Sequence, residues 1–188
     1  MTSSSEEFAQ LDENVFNELL RLARYYKRDA EKCEQAKAYL MGCCAITSAL
    51  ETALICVVHL YPEDVIKAPS LPRSRSKVRP LLKWKLSHLV QVAREVGWLP
   101  AGLELDAEWN SRRAKIGDHV VAVMQLRNLV HPAAYIDAHV RKRVTARYLK
   151  HAFEVVDVAI KHLEARNAKA LLKAMKEEGW TPEGSHAS

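Results

Sequence analysis

The chain has 188 residues, with 28 lysine and arginine residues against 23 aspartate and glutamate residues, which gives a formal net charge of +5. Hydrophobic residues make up 48% of it, enough to bury a core at this length, so a wholly disordered chain is excluded. With only 6 glycines and 7 prolines, an all-β fold rich in tight turns is excluded as well. We predict an all-α fold, an antiparallel bundle of about five helices with a long C-terminal helix. The small positive charge permits an anionic partner such as RNA without requiring one.

The first two helices are predicted from apolar residues at helical spacing. Residues 1–11 are predicted to be a disordered acidic leader, and Asp12 is the expected N-cap of the first helix. The second helix is predicted from about Glu34 to Tyr61, where Pro62 stops it.

The next stretch, residues 62–81, is predicted to be a basic loop because four prolines interrupt it and serines alternate with basic residues. No acidic residue occurs between Lys67 and Lys85. Two readings stay open: a solvated tether, or a set of phosphate contacts for RNA. In the second reading the RNA-binding residues are Arg73, Arg75, Lys77, Arg79, Lys83 and Lys85.

Three further helices complete the bundle. The third is predicted at about 82–96 with Gly97 as its stop, and a short helix is expected within 103–116. The fourth runs from Asp118 to Pro132, and Thr145 caps the long last helix. Residues 12–180 are thus expected to form a single helical domain, followed by a disordered tail at 181–188.

The apolar run from Ala38 to Tyr61 is long enough to cross a bilayer. Glu51 lies near its centre, and an acid there is costly in a membrane, so we predict a core helix of a cytoplasmic protein with no membrane partner. The start of the chain lacks the features of a secretory signal. The four cysteines form no C-x-x-C pair and are expected to be buried thiols, with no metal or cofactor.

The fourth helix carries the candidate site. Its apolar side chains surround the helix axis, yet it also carries Arg127 and His131, four residues apart on one stripe. Glu51 is the only acid in the apolar part of the second helix. Because a buried charge needs a partner, we predict that Arg127 and Glu51 approach each other.

Two interpretations of this group remain open. In the first, Arg127, Glu51 and Asn128 complete a structural polar lock. In the second, Arg127 holds a phosphate and His131 transfers protons, which is sufficient to cleave RNA without a metal because the adjacent 2′-hydroxyl is the nucleophile.

Three stretches between Ala38 and Pro132 carry a family resemblance. They read Gly42-x(7)-Leu50-Glu51-x-x-Leu54, then Leu86-Ser-His-Leu-Val-x-x-Ala-x-x-x-Gly97, then Leu126-Arg-Asn-x-x-His131-Pro132. This order resembles HEPN-like helical domains and their uncharacterised bacterial relatives. The resemblance implies a helical bundle that dimerises through its motif-bearing helices, often as a metal-independent endoribonuclease of a toxin–antitoxin or defence system.

The same resemblance implies roles for individual residues. Arg127 and His131 would be catalytic, with the polar Asn128 and Glu51 in support. The family signature has four to six residues between Arg and His, whereas three intervene here, so this is an RNxxHP variant. We therefore carry two hypotheses: an RNA-directed protein, cleaving or not, that acts as a homodimer with an antitoxin or other protein partner; and a non-catalytic helical dimerisation or interaction module held by the lock.

Overall fold

The computed structural model of the chain describes residues 7–75, 77–99, 116–131, 133, 136 and 144–177. Over these residues it contains six α-helices and one small antiparallel hairpin, so the predicted all-α bundle is confirmed. The elements are α1 (Glu13–Gln35), α2 (Tyr39–Leu60), α3 (Pro62–Val65), β1 (Arg73–Ser74), β2 (Lys77–Val78), α4 (Leu86–Glu95), α5 (Ile116–Asn128) and α6 (Ala146–Glu177). Short 3-10 turns occupy Glu7–Ala9 and Leu81–Lys83.

The N-cap of α1 is the predicted one. A carboxylate oxygen of Asp12 accepts a hydrogen bond from the backbone N–H of Asn14 at 2.8 Å, which satisfies one of the open donors of the first turn. From there α1 continues without a break through its polar second half to Gln35.

The boundary between α1 and α2 differs from the prediction. The second helix begins at Tyr39 rather than at Glu34, because a three-residue turn separates the two helices. Lys37 has a φ of 57°, in the left-handed region, and the N–H of Ala38 donates to the carbonyl of Cys33 at 2.8 Å. This is a Schellman-type ending, usually made with glycine, so a lysine at its turning point gave no signal in the sequence. The turn folds α2 back along α1 as an antiparallel helical hairpin.

The central helix of the bundle is α2, which packs against α1, α4, α5 and α6. Its buried hydroxyls bond within the helix: Thr47 donates to the carbonyl of Cys43 at 2.6 Å, and Thr52 to that of Ser48 at 2.9 Å. By length and composition α2 alone, among the described helices, is apolar enough to cross a membrane. However, 61% of its most apolar window is buried by the rest of the protein, which is the pattern of a core helix.

A close contact joins α2 to the last helix. A Cβ atom added to Gly42 would lie 2.7 Å from the Cδ2 atom of Leu149, so any larger residue there would require the end of the Leu149 side chain to move. Two ion pairs also hold α6, one to α1 and one to α3. Nζ of Lys27 lies 2.8 Å from Asp157, and Nη2 of Arg166 lies 2.7 Å from Asp64.

The second half of the expected leader is packed against the bundle, so the prediction of disorder is wrong for residues 7–11. Ala9 is fully buried, and Phe8 stacks on Trp84. Nδ1 of His59 lies 3.0 Å from the carbonyl oxygen of Ala9 and 3.3 Å from the backbone nitrogen of Leu11. These contacts are made with residues distant in the sequence, so local composition could not reveal them. Residues 1–6 lie outside the described residues.

The stretch at residues 62–81 has more structure than the predicted loop. It contains α3 and the β1–β2 hairpin, in which Arg73 pairs with Val78 and Ser74 with Lys77. The reversal is made at Arg75, whose φ is 48°. Arginine rarely adopts this conformation. Glycine or asparagine usually marks such a turn, and because this one has arginine, the sequence did not indicate a hairpin.

The ends of the later helices follow their predicted signals in part. α4 begins at Leu86, later than predicted, and is followed by Gly97 with a φ of 75°. α5 ends at Asn128, before Pro132. α6 begins directly after Thr145. The expected short helix within 103–116 lies outside the described residues except for its last residue. The tail at 181–188 also lies outside them.

Candidate functional site

Arg127 and Glu51 form the predicted ion pair between α5 and α2. Nη1 of Arg127 lies 2.9 Å from Oε2 of Glu51, and the two side chains are 34% and 22% exposed. α2 presents Glu51 on the same face as Cys44, whose thiol lies 3.8 Å from the backbone carbonyl of Arg127. The pair is therefore a contact between two helices at the edge of the core, partly screened by solvent.

His131 does not continue the helix face that carries Arg127. α5 ends at Asn128, and the next residues bond in a tighter i to i+3 pattern: the N–H of Val130 donates to the carbonyl of Arg127 and that of His131 to Asn128. In such a turn residues three apart lie above one another, so His131 lies on the same side of the turn as Asn128, not on the side of Arg127. His131 and Asn128 are both exposed. The expectation that a three-residue gap keeps Arg127 and His131 on one helical face is wrong, because the helix ends between them.

The thiol nearest to this group is Cys44. Burial raises the pKa of Cys44, the positive charge of Arg127 lowers it in part, and Cys33 raises it. The neighbouring thiol of Cys43 is more deeply buried, and burial raises its pKa to about 12. All four cysteines are free thiols, and no group of three metal-ligating side chains occurs among the described residues.

A second group of candidate residues lies on the hairpin and on the turn that leads into α4. We call it the basic surface: Arg73, Arg75, Lys77, Arg79, Lys83 and Lys85. All six residues are exposed, and none forms an ion pair with another described residue. The residues on both sides of the hairpin are packed into the core: Leu71 and Pro72 before it are buried, and Leu81 after it is 1% exposed. All six predicted RNA contacts thus lie within residues 73–85, with Arg73 and Lys77 on opposite faces of the hairpin.

His88 lies close enough to this surface for two of its cations to affect the pKa of the imidazole. Its pKa is lowered by partial burial and by the positive charges of Arg79 and Lys85. Nδ1 of His88 also accepts a hydrogen bond from the backbone N–H of Lys85 at 3.1 Å, which helps to fix the start of α4. The three-residue spacing of His88 from Lys85, at the start of a helix, is the sequence signal for this contact.

A cavity lined by described residues lies apart from both groups. It has a volume of about 340 Å³ and lies between α1, α2 and α6. Its walls are mostly apolar, with Ile46 and Ala49 from α2, and Lys27 and Asp157 also line it. Neither the ion pair nor the basic surface contributes to this cavity.

Comparison with protein-family models, with curated proteins and with solved structures finds no match for this chain. The ion pair can fix α5 against α2, and its partly exposed guanidinium is reachable by an anion. The basic surface presents cations to solvent, which is the arrangement that binds a polyanion.

Proposed function

We propose that this chain is an RNA-directed, HEPN-like helical protein of the cytoplasm that binds the RNA backbone through the basic surface. The observation that carries the proposal is the grouping of six exposed cations without ion-pair partners among the described residues. Cations that have no ion-pair partner among the described residues break no described ion pair when they bind phosphate. The lowered pKa of His88, caused by burial and then by Arg79 and Lys85, adds support for a positive potential at this surface.

The salt dependence of binding tests this proposal. Each phosphate contact on single-stranded RNA contributes about −0.7 to the slope of log K against log salt concentration. Six contacts therefore predict a slope of about −4 for the wild type, measured by fluorescence anisotropy with a labelled RNA. Replacing Arg73, Arg75 and Lys77 by glutamate should weaken binding and reduce the slope by about half.

A control of equal charge separates this surface from net charge. Arg28, Lys150 and Lys161 are exposed cations on α1 and α6, and their replacement by glutamate changes the total charge by the same amount. The control variant should keep most of the affinity and the slope. Equal losses in both triple variants would show that RNA binding, if present, is not localised, and absence of RNA binding by the wild type would contradict the proposal.

Cleavage is an extension of this proposal. Arg127 is one-third exposed and His131 is exposed, so both are accessible to RNA. His131→Ala should abolish metal-independent cleavage of a structured RNA while leaving the melting temperature unchanged, since an exposed turn residue contributes little to stability. Cleavage that persists in His131→Ala, or that is absent from the wild type in the presence of EDTA, rejects a catalytic role for this pair.

The homodimer expected for such a domain is part of the proposal. Val130 and Ile136, at and beyond the end of α5, are 43% and 71% exposed. Their replacement by aspartate should convert a dimer to a monomer, as measured by light scattering. An antitoxin-like protein is a further candidate partner for the same surface. A wild type that is monomeric at high concentration contradicts the dimer.

The ion pair favours a second function, a non-catalytic helical interaction module. Its specific support is the 2.9 Å contact of Arg127 with Glu51, which engages the guanidinium that catalysis would require. Glu51→Gln separates the two readings. A structural lock without catalysis predicts lower stability and no cleavage by either protein, whereas a catalytic Arg127 held in place by Glu51 predicts cleavage by the wild type that falls in Glu51→Gln.

A further inference from the structure

Trp84 lies at the base of the basic surface. Its side chain is 5% exposed, and its indole N–H donates a hydrogen bond to the carbonyl of Arg79 at 2.8 Å. Lys83 and Lys85, on either side of it in the sequence, are exposed. The indole is therefore held in a fixed orientation next to cations that are suited to bind phosphate.

Phe8 covers this ring. The two ring centroids are 5.7 Å apart and the ring planes are 3° from parallel, which is an offset stack. An unpaired nucleobase stacks on tryptophan in a similar parallel manner, since every base has a flat π face. Phe8 thus occupies a position that a base would take next to the backbone contacts of the basic surface.

The residues next to Phe8 in the sequence contact His59. We call Glu7–Leu11 the strap. Nδ1 of His59 lies near both the carbonyl oxygen of Ala9 and the N–H of Leu11, but one ring nitrogen either donates or accepts, so only one of these hydrogen bonds exists at a time. Since the strap precedes the N-cap of α1, its displacement would uncover the face of Trp84 that Phe8 covers and leave every α-helix intact, while unfolding the 3-10 turn at Glu7–Ala9 and removing Ala9 from the core.

We infer that Trp84 is a covered base-stacking site, that Phe8 occludes it, and that displacement of the strap admits an unpaired base of single-stranded RNA. This inference rests on the proposed RNA-binding function and adds a substrate class to it. Cations that contact phosphate do not select single strands, because a duplex carries an even denser backbone charge and phosphate contacts read no base. A stacking site requires a base that is free of its partner.

The test compares Phe8→Ala with the wild type in binding a short single-stranded RNA, a duplex of equal length and inorganic polyphosphate. Removing the occluding ring should tighten binding of the single strand about tenfold, the scale of one base–aromatic stack. Binding of the duplex and of polyphosphate should change by less than about twofold. Phe153→Ala is the matched control, since Phe153 is a partly buried aromatic residue of α6 and should leave all three affinities unchanged.

A second substitution identifies the ring responsible. Adding Trp84→Leu to Phe8→Ala should cancel the gain for single-stranded RNA. If that protein melts at the assay temperature, Trp84→Phe replaces it, and this smaller ring should retain only part of the gain. Circular dichroism confirms folding of each variant.

The outcomes separate this inference from the proposed function. Unchanged single-strand affinity in Phe8→Ala, an equal gain for duplex and polyphosphate, or a gain that survives Trp84→Leu overturns the stacking site while leaving the basic surface as the RNA contact. Failure of every variant to bind any RNA overturns both.

Discussion

The carboxylate of Glu51 and the guanidinium of Arg127 meet at 2.9 Å between α2 and α5, in two helix segments that are otherwise largely apolar. Each side chain provides the ion-pair partner that the other needs within an apolar helix. Because both side chains keep some solvent exposure, the pair combines a structural contact with a guanidinium that remains partly accessible.

We expect Glu51→Leu to lower the free energy of unfolding by about 1–2 kcal/mol, because Arg127 is left partly buried without a carboxylate. Replacing both residues, Glu51→Leu with Arg127→Met, should be less destabilising than the sum of the two single changes. Urea unfolding measures the four proteins of this cycle. The more exposed pair of Lys27 and Asp157 is the control and should contribute less than about 0.5 kcal/mol. Full additivity for Glu51 and Arg127 contradicts a lock.

Gly42→Ala should destabilise the bundle by about 1–3 kcal/mol, because the added methyl group overlaps the buried side chain of Leu149. Shortening that side chain in Gly42→Ala/Leu149→Val should recover part of the loss. Gly97→Ala is the control: nothing lies within 4 Å of its added Cβ, so its loss comes from the φ of 75° and Leu149→Val should not relieve it. Thermal unfolding of the variants distinguishes the two causes, and a neutral Gly42→Ala would disprove the close contact.

Acid should loosen the attachment of the segment before the hairpin to α4. Burial raises the pKa of Glu95, but hydrogen bonds from the backbone N–H of Ser70 and the amide of Gln91 outweigh it, and the net pKa is lowered. A carboxyl group whose pKa is lower in the folded state stabilises that state above its unfolded pKa. This contribution is lost as the pH falls through the folded value.

Amide hydrogen exchange at Ser70, followed from pH 6 to pH 3, checks this expectation. Protection relative to the intrinsic rate should fall over the acidic part of the range in the wild type. Glu95→Gln should remove the pH dependence. A protection factor that is constant across the range in the wild type would refute the role of Glu95.

The thiols should fall into two classes of reactivity. Cys33 and Cys44 are partly exposed, whereas burial raises the pKa of Cys43 to about 12 and that of Cys56 to about 11. Because the thiolate is the reactive form, a disulfide reagent at pH 8 should modify Cys33 and Cys44 first. Cys43 and Cys56 should react only after denaturation. Mass spectrometry of the labelled peptides identifies the order, and rapid labelling of Cys56 in the native protein would contradict the packing of α2.

Features marked by a signal in the sequence were predicted correctly, whereas contacts between distant residues that carry no such signal were missed. Asp12 was identified as a cap because capping is a local bond, and the approach of Glu51 to Arg127 was predicted because each was an isolated charge in an apolar helix. The strap was missed because its contacts with His59 and Trp84 are distant in sequence.

Two reversals of the chain were missed for a different reason. Lys37 and Arg75 adopt left-handed conformations that usually select glycine or asparagine, so neither residue type marked its turn. The position of His131 was missed as well, since α5 already ends at Asn128 and the next residues form a tighter turn.

The contact of Gly42 with Leu149 has a consequence for the order in which the protein is made. α2 leaves the ribosome long before α6, so the apolar side that α6 covers is exposed while the rest of the chain is synthesised. α1 and α2 are neighbours in the sequence, so their contacts with each other can form early, but closure of the core waits for the last helix. During this interval the nascent α2 is the segment most in need of a chaperone, and a chain truncated before residue 146 should aggregate.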